Sequence, residues 1–256
     1  AMLEYIKPIK ADERGELLTS DGLSYRVLTK RHANQSGLVA VEGFMDEPLS
    51  SHEYGDAPRE DRRPEWTKFC SIFEEECASN GLSLACFDET TEQLVGVMWM
   101  RDFAGGVPDD MEERFKQHSE IWRTLEMLNM CDEDYIKYRP EAAQLGCTIN
   151  FWMGSVLPEY RNRGIIQTLG ILALCHLCYL KSIGKIPHKY LISESTGGYS
   201  QHACKRGGLK PIIVKEWAKH FPEVYSDVHP HHKYMIVGES DILLRFDPGF
   251  RAKSKL

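Results

Sequence analysis

Between a strand-like run, Thr148 to Ser155, and a long apolar run, Ile165 to Tyr179, stands the segment Val156-Leu157-Pro158-Glu159-Tyr160-Arg161-Asn162-Arg163-Gly164-Ile165-Ile166. The shorter run has the length of a strand and the longer one that of a helix. The Arg/Gly segment therefore falls where a strand turns into a helix. The first amides of a helix have no intrahelical acceptor and the helix dipole adds partial positive charge, so such a turn is a ready anion site, for phosphate above all. Gly164 permits close backbone approach, and Arg161 and Arg163 add charge. An ordinary strand-turn-helix with surface arginines is the plainer alternative. No G-x-G-x-x-G follows a predicted strand, which argues against a dinucleotide-binding Rossmann unit.

The segment resembles the acyl-CoA signature of the GCN5-related N-acetyltransferase superfamily, Q/R-x-x-G-x-G/A at the start of the third helix. Arg161 and Gly164 match, and Ile166 stands where Gly or Ala is usual. The resemblance implies acetyl-CoA as co-substrate, held by Arg161, Asn162, Arg163, Gly164, Ile165 and Ile166. The strand backbone at Gly154, Ser155 and Val156 would pair with the pantetheine arm. It also implies the fold class, α/β (α+β): one domain with a mixed, largely antiparallel central sheet and helices on both faces.

Composition sets the outer limits. The 256 residues give ample length for a core, with no linker to divide them, so a single domain over 1-256 is expected, with an N-terminal extension at 1-23, a helical insertion at 103-143 and a C-terminal tail at 247-256. A net charge of -7 argues against a nucleic-acid surface and is compatible with a cationic amine. With no apolar run of membrane-spanning length and no signal-like N-terminus, no membrane span is expected. Eight cysteines then read as reduced intracellular thiols, and Cys175-x-x-Cys178, inside the apolar helix, as buried packing more than a redox or metal pair. The sequence ends Ser254-Lys255-Leu256, the peroxisomal import address read by a receptor, which sets peroxisomal localisation against a cytoplasmic alternative.

Along the chain, Ser24 to Leu28 reads as the first strand, followed by a helix capped by Thr29 and a loop from Met45 to Ser51. Pro64 to Ser79 reads as a helix, Leu82 to Phe87 and Leu94 to Met100 as a hairpin, and Pro108 to Met130 as one amphipathic helix. Tyr190 to Ser195 is a strand and Tyr199 to Arg206 a short helix. Leu209 to Val214 and Lys233 to Val237 are closing strands. The residues between the hairpin and the phosphate-loop strand are candidate walls of an acceptor pocket. Phe44, Trp66, Trp152 and Tyr199 either line it or pack the core.

Amide formation from a thioester requires a base for the ammonium, a stabilised oxyanion and an acid for the leaving thiolate. Asp46-Glu47-Pro48-Leu49 resembles a loop of the insect-type arylalkylamine N-acetyltransferases, whose glutamate is the general base. Thr196-Gly197-Gly198-Tyr199-Ser200 falls where that family has Ser-Ser-His-Tyr-Ser. The resemblance assigns Glu47 as base and Thr196 and Ser200 as hydroxyls assisting proton transfer, Ser200 for the leaving thiolate. Gly198 replaces a histidine, and Cys204 stands where many superfamily members place a tyrosine acid. An exposed loop carboxylate at 47 and a plain helix N-terminal hydroxyl at 200 are the alternatives. His229-Pro230-His231-His232 reads as a polar loop, not a metal site. The function implied is acetyl transfer to a small primary amine. The alternatives are another acceptor (polyamine, amino sugar, amino acid), a longer acyl-CoA, or an acyl-CoA-binding protein without turnover.

Overall fold

In the computed structural model, which describes residues 10–13, 15–54 and 58–242, eight strands form one sheet in the order β1-β2-β3-β4-β5-β6-β8-β7. They are β1 Glu16–Ser20, β2 Leu23–Val27, β3 Leu84–Asp88, β4 Leu94–Asp102, β5 Thr148–Val156, β6 Tyr190–Ser195, β7 Lys210–Glu216 and β8 Tyr234–Asp241. Only the β5-β6 pair is parallel, so the sheet is mixed and largely antiparallel, as expected. The helices are α1 Ala33–Met45, α2 Pro48–Tyr54, α3 Arg59–Ser71, α4 Glu74–Ser79, α5 Met111–Phe115, α6 Ser119–Tyr138, α7 Ile165–Ser182, α8 Gly198–Arg206, α9 Trp217–His220 and α10 Pro222–Tyr225.

The helices cover both faces. α7 packs Ile165, Leu169, Leu172 and Leu177 against Val95, Ile149 and Leu191 on one side. On the other, α1, α3, α5 and the start of α6 gather around Trp66, Phe69, Phe73 and Trp99, while the end of α6 joins α9 and α10 around Tyr135, Trp217 and Tyr225. Sandwiched between these layers, β4 reads Leu-Val-Gly-Val-Met-Trp-Met, because a strand buried on both faces loses the polar alternation of a half-buried one. α7 is long and apolar enough, by length and composition, to cross a membrane; here it is the core helix of its face. All eight cysteines are free, and burial pushes the Cys175 thiol up to about 12.

Several expected boundaries moved. The segment read as an N-terminal extension contains β1, joined to β2 by Asp21-Gly22 with φ of 55° and 72°, the double left-handed turn that suits a tight hairpin. Thr29 makes no cap to a backbone amide; its hydroxyl meets His32 Nδ1 at 3.2 Å. The predicted helix from Pro64 to Ser79 is two helices, α3 and α4. α3 begins a turn before Pro64 because Arg59 and Arg63 are drawn onto Glu42 and Asp46, and that offsets the one hydrogen bond proline removes. The predicted helix from Pro108 to Met130 breaks before Ser119 and then runs on to Tyr138. The predicted loop from Met45 to Ser51 holds the start of α2, with proline at its favoured first position. Ser254-Lys255-Leu256 lies outside the described residues.

Candidate active site

Pairing of β5 with β6 runs from Thr148↔Tyr190 to Phe151↔Ser193 and then stops. β5 continues along β4 to Val156, with a bulge that leaves Trp152 without an opposite residue, while β6 continues along β8 to Ser195. The two strands therefore part, and the β6-facing edge of β5 lies open from Trp152 onward. At the end of β5 the chain passes Asn162 and Gly164, both left-handed at φ 62° and 74°, and enters α7. Thr168 is the helix amide bonded back to Gly164 O (3.0 Å), so the amides of Ile165, Ile166 and Gln167 face out of the N-terminus. A Cβ on Gly164 would meet nothing within 4 Å. An open strand edge, a bare helix terminus and free space above it fit the phosphates and amide-bearing arm of an acyl-CoA.

The arginines of this turn are committed within the protein. Arg161 donates to Val156 O (3.1 Å), Glu42 O (3.1 Å) and Asp46 Oδ2 (2.5 Å), and Arg163 donates to Asp21 O (3.2 Å). They fasten the turn and lend it charge in place. Ser155 donates to Val39 O (2.5 Å), drawing β5 against α1, where a Cβ on Gly43 would stand 2.9 Å from the Ser155 hydroxyl. Ile166 is accommodated by Gly154: a Cβ there would come within 2.9 Å of Ile166 Cδ1. The bulk at position 166 is thus absorbed across the cleft.

Glu47 is the N-cap of α2. Its carbonyl accepts from Ser51 N (2.9 Å), and its Oε2 accepts from Leu49 N (2.7 Å), which satisfies one orphan amide of the first turn. Its Oε1 accepts from Thr196 Oγ1 (3.2 Å). α2 is anchored in turn: Glu53 pairs with Arg123 of α6 and accepts from Tyr225 OH (3.0 Å), and Leu49 is buried among the α9 and α10 aromatics. Trp217 Nε1 donates to Thr196 O (3.4 Å). The carboxylate is therefore held from both sides, on a loop whose backbone has little freedom.

Ser200, three residues into α8, is exposed, and its hydroxyl donates to Gly197 O (2.8 Å) and accepts from Gly197 N (3.4 Å). A Cβ on Gly198 would overlap the carbonyl and ring of His231. The imidazole thus reaches this place from the 229–232 loop, and the glycine is what admits it. His232 Nδ1 accepts from Gly198 N (3.2 Å), capping α8. Cys204 turns to β6, against Ser193 and Ser195.

These pieces border one cavity of about 700 Å³. Glu47, Thr196, Ser200, Gly154 and Ile166 line it, as do Phe44, Trp66, Trp152 and Tyr199, the four aromatics that sequence left between pocket and core. Phe44 stacks on Trp66 at 4.1 Å between ring centroids, forming a flat wall. α6 supplies Ile121, Thr124 and Leu128. Ser155, Val156, Arg161, Asn162, Arg163, Gly164 and Ile165 lie outside the lining.

Two groups of carboxylates flank the cavity. At the rim, Glu42 receives Arg59 (2.6 Å) and Arg63, and Asp46 receives Arg59 (3.0 Å) and Arg161 (2.5 Å). Burial pushes both carboxyls up, but the arginine hydrogen bonds prevail and hold them below their ordinary values. The floor is a buried pair behind the lining residue Glu194: Glu194 of β6 meets Asp132 of α6 carboxyl to carboxyl, and Asn150 Nδ2 donates to Glu194 Oε2 (2.8 Å). Desolvation raises both, with Asp132 pushed up to about 6 and Glu194 raised well above the usual carboxylate range. Sequence reasoning missed this floor, the capping role of Glu47 and the place of His231. Only Pro48, of the residue type favoured at the first helical position, carried a local signal.

No family model matches the chain, and no curated protein matches its sequence. Among solved structures, arylalkylamine N-acetyltransferase 2 from Aedes aegypti is similar at TM-score 0.65 and 12% identity, over 87% of this chain and 100% of the other. The C-terminal condensation domain of Ebony in complex with beta-alanyl-dopamine gives 0.65 and 12%, over 86% and 98%. Polyamine N-acetyltransferase of Drosophila melanogaster gives 0.60 and 14%, over 86% and 99%. At such identities the likeness speaks for architecture, and this chain has the fold of the GCN5-related N-acetyltransferases.

Proposed function

We propose that the protein is an acetyl-CoA-dependent N-acetyltransferase acting on a small primary amine. The observation that carries this reading is the convergence of Glu47, Thr196 and Ser200 on one cavity, into which the open edge of β5 also leads. The solved structures of like fold include enzymes named for acetyl transfer to arylalkylamines and polyamines, which supports it further. The co-substrate would lie along Gly154 to Val156 with its phosphates at Asn162 to Ile166, and it supplies an activated acyl thioester. Glu47 takes the proton from the acceptor's ammonium, directly or through one water, freeing the nitrogen lone pair for attack. The Thr196 hydroxyl and the Leu49 amide keep the carboxylate aimed. The Ser200 hydroxyl, released from Gly197 O by rotation about χ1, gives a proton to the departing sulfur and takes up in return the second proton that the acylated nitrogen sheds. The aromatic wall of Phe44 and Trp66 excludes water and suits an aryl or alkyl body.

Thiol release from acetyl-CoA with arylalkylamines, polyamines, amino sugars and amino acids, alongside octanoyl-CoA, tests the reading. Glu47→Ala is expected to lower kcat/KM by about 10²–10⁴ with CoA still bound. Normal turnover in that variant removes the base assignment, and CoA binding without transfer to any amine removes the enzymatic reading. Import through Ser254-Lys255-Leu256 is part of the proposal; a reporter carrying this tail is expected in peroxisomes, and deletion of Leu256 is expected to leave it in the cytosol.

A further inference from the structure

The arginines of the turn before α7 are already engaged: Arg161 by Val156 O, Glu42 O and Asp46, and Arg163 by Asp21 O. An acyl carrier bearing several phosphate charges would meet the amides of the helix N-terminus there, with both guanidiniums of the turn committed elsewhere. On the same cavity, α8 offers cationic side chains that are not committed. Tyr199, His202, Ala203 and Arg206 all line it, and their spacing, three, four and seven residues on from the first, is that of one helix face. His202 and Arg206 are exposed, and among the described residues neither has a hydrogen bond or ion pair. Arg206 is also the only arginine or lysine in the lining among the described residues. Lys205 shares the last turn of α8, where a cation suits the helix dipole, yet it does not line the cavity. The dipole alone therefore does not account for a cation at the lining position.

The order of residues along this face matches that of the carrier. Ser200, the proton donor proposed for the departing sulfur, precedes Arg206 by six residues, about 9 Å along a helix axis. A carrier with its sulfur at Ser200 and its body along the α8 face would pass Ala203, the smallest side chain of the stripe, and bring its anionic end toward Arg206. The guanidinium presents a fork of donors matched to phosphate oxygens, and an imidazole N–H adds another.

We propose that Arg206, with His202 one turn before it, binds a phosphate of the acyl carrier, so that α8, in place of the arginines of the α7 turn, supplies the side-chain charge by which the carrier is selected. The proposal rests on the acetyltransferase reading and assigns a specificity-determining residue to it.

The experiment compares acetyl-CoA, acetyl-3′-dephospho-CoA and S-acetylpantetheine, which share the thioester and differ in phosphate. Transfer to one amine, and calorimetric binding of CoA, dephospho-CoA and pantetheine, are measured for the wild type, Arg206→Ala, Arg206→Lys and Lys205→Ala. Arg206→Ala is expected to raise the KM for acetyl-CoA about tenfold with kcat retained and to leave S-acetylpantetheine unaffected. Arg206→Lys should recover part of the loss, and Lys205→Ala should match the wild type. A loss confined to acetyl-CoA assigns the 3′-phosphate, and a loss shared with the dephospho carrier assigns the diphosphate; either upholds the site. Added salt should erode the preference of the wild type for the phosphorylated carriers more than that of Arg206→Ala. An unchanged KM for acetyl-CoA in Arg206→Ala, an equal change for all three carriers, or a change in the KM of the amine alone overturns the proposal while leaving acetyl transfer standing. CoA bound more tightly than pantetheine in an Arg206-dependent way, without transfer to any amine, would leave the phosphate site standing and remove the enzymatic reading.

Discussion

The rim and the floor of the cavity hold carboxylates of the same two types in opposite circumstances. Glu42 and Asp46 are tied by three arginines, and their carboxyls sit below ordinary values. Asp132 and Glu194 have each other and one amide, and theirs sit above. At the rim the charge is spent on architecture: it clamps α1, α3 and the turn before α7 into one frame. On the floor burial suppresses the charge, a condition a fold carries at a cost.

The sharpest way to break this comparison is to remove Glu42, whose side chain is 14% exposed. Glu42→Ala leaves Arg59 and Arg63 short of a partner, and a loss of about 2–3 kcal/mol is expected in urea unfolding; an unchanged midpoint means the clamp contributes nothing. Next comes the floor, where the sign reverses. A carboxyl raised in the native state gives stability that is complete below its unfolded value and is lost as pH rises through the folded one. Glu194→Gln is therefore expected to raise stability by on the order of 1 kcal/mol near pH 8, and the gain should vanish near pH 4. Urea midpoints across that range check it, and a variant destabilised at pH 8 would show the pair to be a structural asset. The smallest effect is expected for Asp46→Asn at the more exposed end of the rim. Its cost in stability should stay under about 1 kcal/mol, but a looser Arg161 should raise the KM for acetyl-CoA several-fold with little change in kcat. Since the rim carboxyls are depressed, their contribution is present above the ordinary values of 4.5 and 3.8 and fades as pH falls below them through the native ones.

What could be read in advance follows from how local each signal is. The strand-turn-helix at Val156 to Ile166 was legible because its residues are contiguous and each answers a backbone requirement: left-handed φ at Gly164, and apolar periodicity in α7. β6 was legible from the short apolar run Tyr190-Leu191-Ile192 that opens it. Asp21-Gly22 carried a hairpin signal, yet Glu16-Leu17-Leu18-Thr19-Ser20 does not alternate, and the pairing register itself shifts between Glu16 and Leu18, so β1 went unread. The α3-α4 break depends on Phe73, buried to 1% in the core between the two helices, which no propensity records. The floor joins residues 62 positions apart on different elements, as Asp132 and Glu194 do; only the fold brings them together. Glu47 was legible by its motif, whereas the hydrogen bonds that aim it come from Leu49 next door and Thr196 far along the chain.

The parting of β5 from β6 has one more consequence. It places an edge strand in the middle of a sheet, and an unpaired edge is ordinarily an invitation for another polypeptide to add itself. Here Ile166 leans across from α7 and Ile121, Thr124 and Leu128 of α6 stand on the other side of the same cavity. A foreign strand, with side chains on both faces, is too broad to enter, whereas a thin chain carrying amides but no side chains can lie along the edge. The acyl-CoA arm of the proposed function would thus be separated by its width from the misassembly that the same backbone would otherwise court.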